Sequence, residues 1–371
     1  MSGAGVIIHT DTQFFTQGFV IATNFELMET SLTEIVNHFK DLGIDQQIDY
    51  DKFYLYSIIT HSTAIEGSTI TEIENRLLFD EGISVHGKSM LEQLMNMDLR
   101  TAYTQAIKMA KDHEDFSVEM LCHLSALVMQ HTGAEYDTAL GNFSAAKGEL
   151  RLLNVSTGFG GRSYLNYSKV PSYLEEFCQT LNKARHEINP RDADAVYRLS
   201  FDAHYQLVTI HPWADGNGRM ARLIMNYIQF EFGLVPSKVD KKSKADYIRA
   251  LECSREQESL QPFRDFMAAH HAQNLLKMMD EYQTSSEHLS KLTERKSNQE
   301  SNQKSNQKSN QKSNQKILEA IRNNPHITIN EMHEATGLSE SGVKKVLRKL
   351  REEGRLARVG ANKDGYWRII D

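Results

Sequence analysis

The stretch from 211 to 222 reads HPWADGNGRMAR, and it constrains the fold more than any other part of the chain. Gly216 and Gly218 stand on either side of an asparagine, so the backbone can turn sharply there and its N–H groups can converge on an anion. Apolar residues recur at spacings of three and four on both sides, which predicts helices over 191–209 and 218–232. A glycine-rich turn that opens a helix is typical of a phosphate site, because unpaired N–H groups and the positive end of the helix dipole face outward.

The charged residues of this stretch favour a bound polyphosphate. Arg219 and Arg222 fall in the first turn of the second predicted helix, where cations are unfavourable unless an anion offsets them. Asp215 precedes the turn and suits a Mg²⁺ ion that keeps most of its waters. His211 has a usual pKa of about 6.5, so it can serve as a general base near neutral pH. The alternative is a simple glycine-capped turn with a solvated basic face, and the joint spacing of these groups argues against it.

The same stretch closely resembles the signature of the Fic family (Fic/Doc-like fold), whose usual pattern is His-Pro-Phe-x-Asp/Glu-Gly-Asn-Gly-Arg-x-x-Arg. Every functional position matches, and Trp213 replaces the usual Phe. The resemblance implies a protein adenylyltransferase (AMPylator), which transfers AMP from ATP to a hydroxyl of Ser, Thr or Tyr in a protein, and it leaves self-modification open. By the same resemblance, His211 deprotonates the hydroxyl and Asp215 holds Mg²⁺. The residues implied in phosphate binding are Gly216, Asn217, Gly218 and Arg219, with Arg222 on the γ-phosphate.

Residues 62–67 read STAIEG and form a second motif at the end of a predicted helix. Taken alone, this motif indicates a glycine-terminated helix with an exposed glutamate. It also resembles the Ser/Thr-x-x-x-Glu-Gly/Asn motif of those Fic proteins that inhibit themselves through a helix before the catalytic core. Ser62, Glu66 and Gly67 fit that motif. A bidentate pair between Glu66 and Arg222 would then keep Arg222 from holding the γ-phosphate of ATP.

Three further features complete the predicted catalytic region. A capping-box spacing at 69–72 predicts the start of another helix. Glycines then interrupt the helical pattern, and 150–155 can pair with 164–167 as a β-hairpin; the resemblance implies a flap here that pairs with the target segment. Tyr247 resembles the aromatic residue that Fic proteins place near the adenine, while Arg255 stands about where some relatives have an asparagine.

Composition and charge exclude several other classes of protein. The chain has 371 residues, 40% of them hydrophobic, and no apolar run approaches the length of about 20 residues that a membrane span needs, so we expect no membrane contact. The N-terminus lacks the pattern of a secretory signal. Three scattered cysteines, Cys122, Cys178 and Cys253, indicate free thiols in a reducing cytoplasm rather than a disulfide framework or a zinc site. The composition leaves a homo-oligomer open.

Residues 297–316 repeat a tetrapeptide, SNQE once and then SNQK four times. The repeat has no apolar residue and cannot bury a face, so it indicates a solvated spacer or an exposed helical extension at a domain boundary. Residues 317–371 then predict three short helices and a two-stranded wing over 356–370, which resembles the winged helix-turn-helix domain of bacterial regulators. Thr328 and Ser339 are the predicted starts of the second and third helices.

The third helix of this module is basic. From residue 316 onward the chain has 11 Lys and Arg and 8 Asp and Glu side chains, a net charge of +3, although the whole chain carries −7. A basic helix in a winged-helix module suggests contact with the DNA backbone. A protein-interaction module with a solvated charged face is equally open. The cations of this helix are Lys344, Lys345, Arg348, Lys349 and Arg351.

Together these patterns predict a mostly α-helical protein with a Fic-type core and a C-terminal winged-helix-like domain. The predicted regions are residues 1–110 with an inhibitory helix around 55–67, a catalytic core over 111–285 with the flap at 148–167, a helix end and linker over 286–316, and the module at 317–371. The predicted function is an auto-inhibited adenylyltransferase that uses ATP and Mg²⁺. The alternatives are a DNA-binding regulator whose Fic domain senses nucleotide, or a Fic enzyme that removes AMP or transfers another phosphate-linked group.

Overall fold

A computed structural model describes residues 31–156, 163–360 and 365–370, with side chains at all of these positions except 51 and 286–310. The first predicted region, 1–110, therefore begins outside the described residues. The chain divides into two compact units, Met1–Tyr282 and Gln283–Asp371.

Helices dominate the first unit, so the prediction of a mostly α-helical protein is confirmed. They are α1 (Leu32–Asp41), α2 (Leu55–Ile65), α3 (Glu72–Arg76), α4 (Met90–Lys111), α5 (Val118–Val128), α6 (Val170–Glu187), α7 (Ala193–Ile210), α8 (Asn217–Glu231), α9 (Lys244–Glu256) and the beginning of α10 (Gln261–Asn323). Short π-helical turns at Tyr50–Tyr54 and Leu77–Glu81 extend α2 and α3. None of the helices in the described ranges combines the length and apolar composition needed to cross a bilayer.

The centre of this unit is α8, which packs against α7 and α4. Its residues from Arg219 to Gln229 are all buried, including the polar side chains of Arg222 and Asn226. A helix buried on all sides needs partners for each polar group. Asn226 accordingly accepts a hydrogen bond from the Tyr103 hydroxyl of α4 at 2.7 Å and donates one to the Ser237 carbonyl at 2.7 Å.

The start of α3 differs from the prediction of a capping box at 69–72. The box is at Thr71 and Glu74, whose side chains each bond the backbone N–H of the other. Glu72 does not close a box because its carboxylate accepts the Ser57 hydroxyl of α2 at 2.6 Å. The backbone N–H of Thr69 instead donates to Glu92 at 2.7 Å, which ties this segment to the first turn of α4.

The sequence did not predict the hairpin that the structure shows before the flap. Strands β1 (Glu135–Thr138) and β2 (Gly141–Ser144) pair antiparallel, with Tyr136 opposite Phe143. Their two rings stack at 4.7 Å, which stabilises the short pair across the strands. Strands of four residues joined by a two-residue turn leave too short an alternation for sequence patterns to detect.

The predicted flap hairpin is shorter in the structure than in the sequence pattern. A single antiparallel bridge joins Ser156 to Ser163, and the Tyr164 N–H donates to the Val155 carbonyl at 3.0 Å. Residues 157–162, the tip of the predicted hairpin, lie outside the described residues. Towards its base, the buried Arg151 guanidinium donates to the carbonyls of Leu153 and Leu165, one on each side of the hairpin.

The second unit has its own small apolar core. Its elements are the end of α10, α11 (Ile329–Thr336), α12 (Glu340–Glu352), β3 (Leu356–Val359) and β4 (Tyr366–Ile369). Thr328 and Ser339 cap α11 and α12 as predicted, and the two strands form the predicted wing. The repeat at 297–316 lies within α10, which is the helical option of the two that its composition allowed.

Gly148 packs closely against α5, so a substitution at this residue tests the packing of the domain. An alanine Cβ there would lie 2.0 Å from the Cys122 carbonyl oxygen of α5, and the residue has a φ of 67°. Gly233 has a similar φ of 64° but no atom within 4 Å of the Cβ position. The left-handed backbone should cost each alanine variant about 1 kcal/mol. Overlap with backbone should add about 1–3 kcal/mol for Gly148→Ala alone.

We therefore expect Gly148→Ala to lower the free energy of unfolding clearly more than Gly233→Ala does, as measured by urea denaturation. Equal losses of unfolding free energy in the two variants would contradict the close contact between Gly148 and α5.

Candidate active site

The loop between α7 and α8 is built around the buried indole of Trp213. The Asn217 side chain accepts the Trp213 N–H at 3.1 Å and donates to the Trp213 carbonyl at 2.9 Å, while the indole N–H donates to the Gly148 carbonyl at 3.0 Å. The side chain of Asn217 thus closes the loop and does not face a ligand. Its predicted part in phosphate binding stays a prediction.

His211 ends α7 in a left-handed conformation with a φ of 53°. Its Nδ1 lies 3.3 Å from the Val208 carbonyl, a contact that assigns the proton to Nδ1 and leaves the lone pair on Nε2. Burial lowers the pKa of His211 to about 4; the Arg151 and Arg255 cations act in the same direction, while the Val208 contact and Asp215 oppose them. The imidazole is therefore neutral at pH 7, as a general base must be.

The start of α8 has the features of an anion site. Gly216 precedes the helix in a left-handed conformation, and no side chain caps it. Arg219 is 4% exposed, and its Nε and Nη1 have no hydrogen-bond partner among the described residues. Its Nη2 lies 3.5 Å from a carboxylate oxygen of Asp215. Buried charged donors without partners are costly, so this geometry indicates that an anionic ligand completes the site.

Arg222 is also buried, but its donors are occupied by the second sequence motif. Nε donates to the Ser62 hydroxyl at 2.8 Å, and Nη2 donates to the Ser62 carbonyl at 3.1 Å and to Glu66 Oε1 at 2.5 Å. The structure thus brings together two residues that are 156 positions apart in the sequence. Their pair is not bidentate, in contrast to the prediction: Nη2 alone bonds the carboxylate, while Nε bonds Ser62 and Nη1 lies 3.5 Å from the Tyr247 hydroxyl.

The Glu66 carboxylate lies against the first turn of α8. A Cβ placed on Gly218 would be 2.8 Å from Glu66 Oε1, so only glycine lets the carboxylate approach this closely. Burial raises the pKa of Glu66, but the Arg222 guanidinium outweighs this effect and the pKa lies below its usual range. An ionised carboxylate with 34% of its side chain exposed therefore stands where an anion would bind. Gly67, with a φ of 109°, turns the chain away directly afterwards.

A buried amide that the sequence did not single out fixes this turn. Asn96 of α4 accepts the Thr63 hydroxyl and the Asn75 amide through its Oδ1, each at 2.9 Å. Its amide nitrogen donates to the Ser68 hydroxyl at 3.2 Å. Asn96 thus joins the segments on both sides of Glu66 to α4. An amide within an otherwise ordinary helical pattern has no spacing signal that would reveal such a role.

Arg151 is the second residue that the sequence did not reveal. Its guanidinium donates to the carbonyls of His211, Leu153 and Leu165, and its backbone N–H donates to the Pro212 carbonyl at 3.1 Å. One buried side chain therefore ties the end of α7 to both sides of the flap base. Removing it would leave several buried carbonyls without donors.

Tyr247 and Asp215 occupy the two sides of this site. The buried Tyr247 hydroxyl lies 2.9 Å from His204 Nε2 and 3.5 Å from Arg222 Nη1, so it borders the arginine rather than open space. Its predicted contact with adenine stays a prediction. Asp215 has 60% of its side chain exposed, and its Oδ1 accepts the Gly216 N–H at 2.6 Å. An exposed carboxylate beside a phosphate site fits a Mg²⁺ ion that keeps most of its waters.

Two family models match separate parts of the chain. Residues 115–229 match the Fic/DOC family, and residues 311–356 match a winged helix-turn-helix DNA-binding model. Protein adenylyltransferase fic-1 of Caenorhabditis elegans is 26% identical over 275 residues, which are 72% of this chain and 50% of that protein. Protein adenylyltransferase Fic of Drosophila grimshawi is 28% identical over 214 residues, 57% of this chain and 40% of that protein. The chain therefore spans half or less of the length of these curated relatives.

Solved structures share the fold. A Fic family protein of Desulfovibrio desulfuricans G20 superposes with a TM-score of 0.54 at 19% identity, covering 96% of this chain and 97% of that one. A Fic domain containing signaling protein of Bacteroides thetaiotaomicron has a TM-score of 0.55 at 19% identity, covering 67% of this chain and 95% of its own. The family models thus identify a Fic domain followed by a winged helix-turn-helix domain, and the solved structures show that the fold is shared.

Proposed function

We propose that the Fic domain is an auto-inhibited protein adenylyltransferase that transfers AMP from ATP to a Ser, Thr or Tyr hydroxyl of a protein. One observation carries the proposal. The neutral imidazole of His211 lies in the same loop as the start of α8, where Arg222 is bonded to the chain's own Glu66 carboxylate. Arg222 is the residue that would clamp the γ-phosphate of ATP, and we call it the clamp. The relatives named protein adenylyltransferase support the choice of reaction.

The proposed reaction assigns one task to each group. The Nε2 atom of His211 accepts the proton of the target hydroxyl, and the oxygen attacks the α-phosphorus of ATP. The bond between the α- and β-phosphates breaks, and pyrophosphate leaves. Arg219 and the first N–H groups of α8 offset the charge of the phosphates. Asp215 would hold Mg²⁺, which neutralises part of the phosphate charge when bound.

Inhibition follows from competition for the same donors. Arg222 gives Nη2 to Glu66 and Nε to Ser62, so the donor that faces Glu66 is taken before a γ-phosphate binds. A triphosphate that reaches the start of α8 must displace a carboxylate held by a charged hydrogen bond. Such a bond in a partly buried site stabilises by about 1.5–3 kcal/mol, which corresponds to roughly 10- to 100-fold in binding.

The first prediction for this site distinguishes a regulatory ion pair from a merely structural one. Glu66→Gly should raise AMP transfer, including transfer to the protein itself, by about 10- to 100-fold because it frees the clamp. Arg222→Ala also breaks the pair, but it removes the clamp, so its activity should not rise. Intact-mass spectrometry after incubation with ATP and Mg²⁺ measures both, with His211→Ala in the Glu66→Gly background as the inactive control.

If Glu66→Gly leaves ATP affinity and AMP transfer at the wild-type level, auto-inhibition by Glu66 is wrong. An active His211→Ala variant would remove this residue from the proposed reaction.

A second prediction concerns the protonation state of His211. Because its folded pKa is lowered to about 4, the imidazole binds a proton only when the pH falls towards that value. Its ring protons should therefore show no titration between about pH 5.5 and about pH 8 in an NMR experiment, although an ordinary histidine titrates near 6.5. The His211→Ala spectrum identifies the signal among the 15 histidines. A midpoint near 6.5 would contradict the burial of this side chain.

DNA binding by the winged helix is the second candidate function, and the exposed cations of α12 favour it. Lys344 and Lys349 lie within 3.7 Å of Glu340 and Glu353, respectively. Lys345 and Arg348 have no such carboxylate among the described residues, so they can meet phosphates without breaking a pair. The Fic domain would then serve as a nucleotide sensor. Removal of AMP from a target is the further alternative, and it would use the same site residues.

We expect the whole protein to bind mixed-sequence duplex DNA at low salt. Lys345→Ala and Arg348→Ala should each weaken binding at every sequence and reduce the slope of log affinity against log salt by about 0.9, as lost phosphate contacts do. Lys349→Ala should change both much less, because this lysine already faces a carboxylate. Fluorescence anisotropy at several salt concentrations measures the slopes, and no binding at the lowest salt would favour a protein partner instead.

A further inference from the structure

The face of the His211 imidazole is covered by an aromatic side chain that the proposed reaction does not use. The Tyr164 ring stacks on the imidazole with a centroid distance of 3.8 Å and an interplanar angle of 18°. Tyr164 comes directly after the Ser156–Ser163 bridge, and its N–H donates to the Val155 carbonyl. The stacked ring is thus held by the base of the flap and not by α7, which carries the histidine.

A cation also lies over the tyrosine ring. The Arg255 guanidinium, in the last turn of α9, lies 5.0 Å from the centroid of the Tyr164 ring. A guanidinium over an aromatic face is attracted by the electron-rich ring. The Tyr164 ring thus contacts both Arg255 and His211, and the three residues come from three different elements of the fold.

Arg151 ties the backbone of His211 to the backbone beside Tyr164. Its Nε donates to the His211 carbonyl at 2.7 Å, and its Nη2 donates to the carbonyl of Leu165, the residue after the tyrosine. A planar guanidinium holds its acceptors in a fixed geometry. The histidine and the tyrosine are consequently tied together through their backbones as well as through their rings.

The stack covers a face of the imidazole and not its edge. A ring on the face blocks water from above, whereas Nε2 accepts a proton in the plane of the imidazole. Nδ1 is turned towards the Val208 carbonyl at 3.3 Å, so a stacked neighbour and this contact together determine where Nε2 points. We infer that Tyr164 is a positioning residue for His211, which holds the imidazole plane so that Nε2 faces the target hydroxyl.

The charged groups around the imidazole agree with this role. Arg151 and Arg255 both oppose its protonation, and Asp215 favours it. Burial is the largest cause of the lowered pKa, and the Tyr164 ring supplies part of that burial. Without the ring, water would reach the imidazole face, and the pKa should rise towards the usual value of about 6.5.

The experiment measures the His211 ring protons by NMR in the whole protein, so it does not depend on any activity. In the unmodified protein these protons should lie upfield of their usual positions because a ring covers them. Tyr164→Phe should keep both the shift and the pKa of about 4. Tyr164→Leu should lose the shift and raise the pKa above about 5, a tenfold or greater gain in proton affinity. Tyr173→Leu, at a tyrosine that is 46% exposed on α6, is the matched control and should change neither.

The catalytic consequence rests on the proposed function and is measured separately in the Glu66→Gly background. Tyr164→Leu should lower kcat by about 10- to 100-fold with little change in the KM for ATP, and Tyr164→Phe should restore kcat. Unshifted ring protons in the unmodified protein, or an unchanged His211 pKa in Tyr164→Leu, overturn the inference. If the His211 pKa rises in Tyr164→Leu but no variant transfers AMP, the inference about Tyr164 stands and the proposed reaction is wrong.

Discussion

The positive start of α8 is the constraint on which the rest of this domain depends. Two buried arginines and a helix N-terminus concentrate positive charge where no side chain caps the helix. Charge of one sign cannot stay unmatched in a buried site without a large loss of stability. Glu66 offsets part of it through Arg222, while two donors of Arg219 remain without partners among the described residues. The same shortage of negative charge explains the place of the glutamate and would favour a polyphosphate, as the proposed function requires.

Two buried polar side chains assemble the site from distant parts of the chain. Asn96 fixes the turn that carries Glu66, and Arg151 fixes the loop end that carries His211 against the flap base. Each makes several hydrogen bonds to segments that are otherwise irregular, and in a low-dielectric interior such bonds hold a single arrangement. Separate hydrogen-bond networks therefore position Glu66 and His211, and Glu66 meets α8 at Arg222 and Gly218.

If the proposed auto-inhibition holds, this arrangement makes regulation a competition between Glu66 and a phosphate for Arg222. Glu66 ends a helix, precedes a glycine and keeps a third of its side chain exposed, so it can leave the clamp without disturbing the core of α2. Arg222 is buried and held by Ser62, so it stays in place when the carboxylate leaves. Release of inhibition then requires only that a phosphate bind these donors better than one carboxylate does, because both ligands use the same hydrogen bonds.

The sequence by itself determined the local chemistry: a base, a carboxylate and two arginines around a glycine turn, the glycine-ended helix with Glu66, and the caps of α11 and α12. Such features depend on near neighbours, so periodicity and spacing reveal them. Only the tertiary structure decided which distant groups meet. It gave Ser62 the donor that a bidentate pair would need, used Asn217 to close the loop, and placed Arg151, Asn96 and Tyr164 around the site. A buried polar group meets its partners through the packing of separate elements, so the spacing of residues along the sequence does not reveal which groups meet.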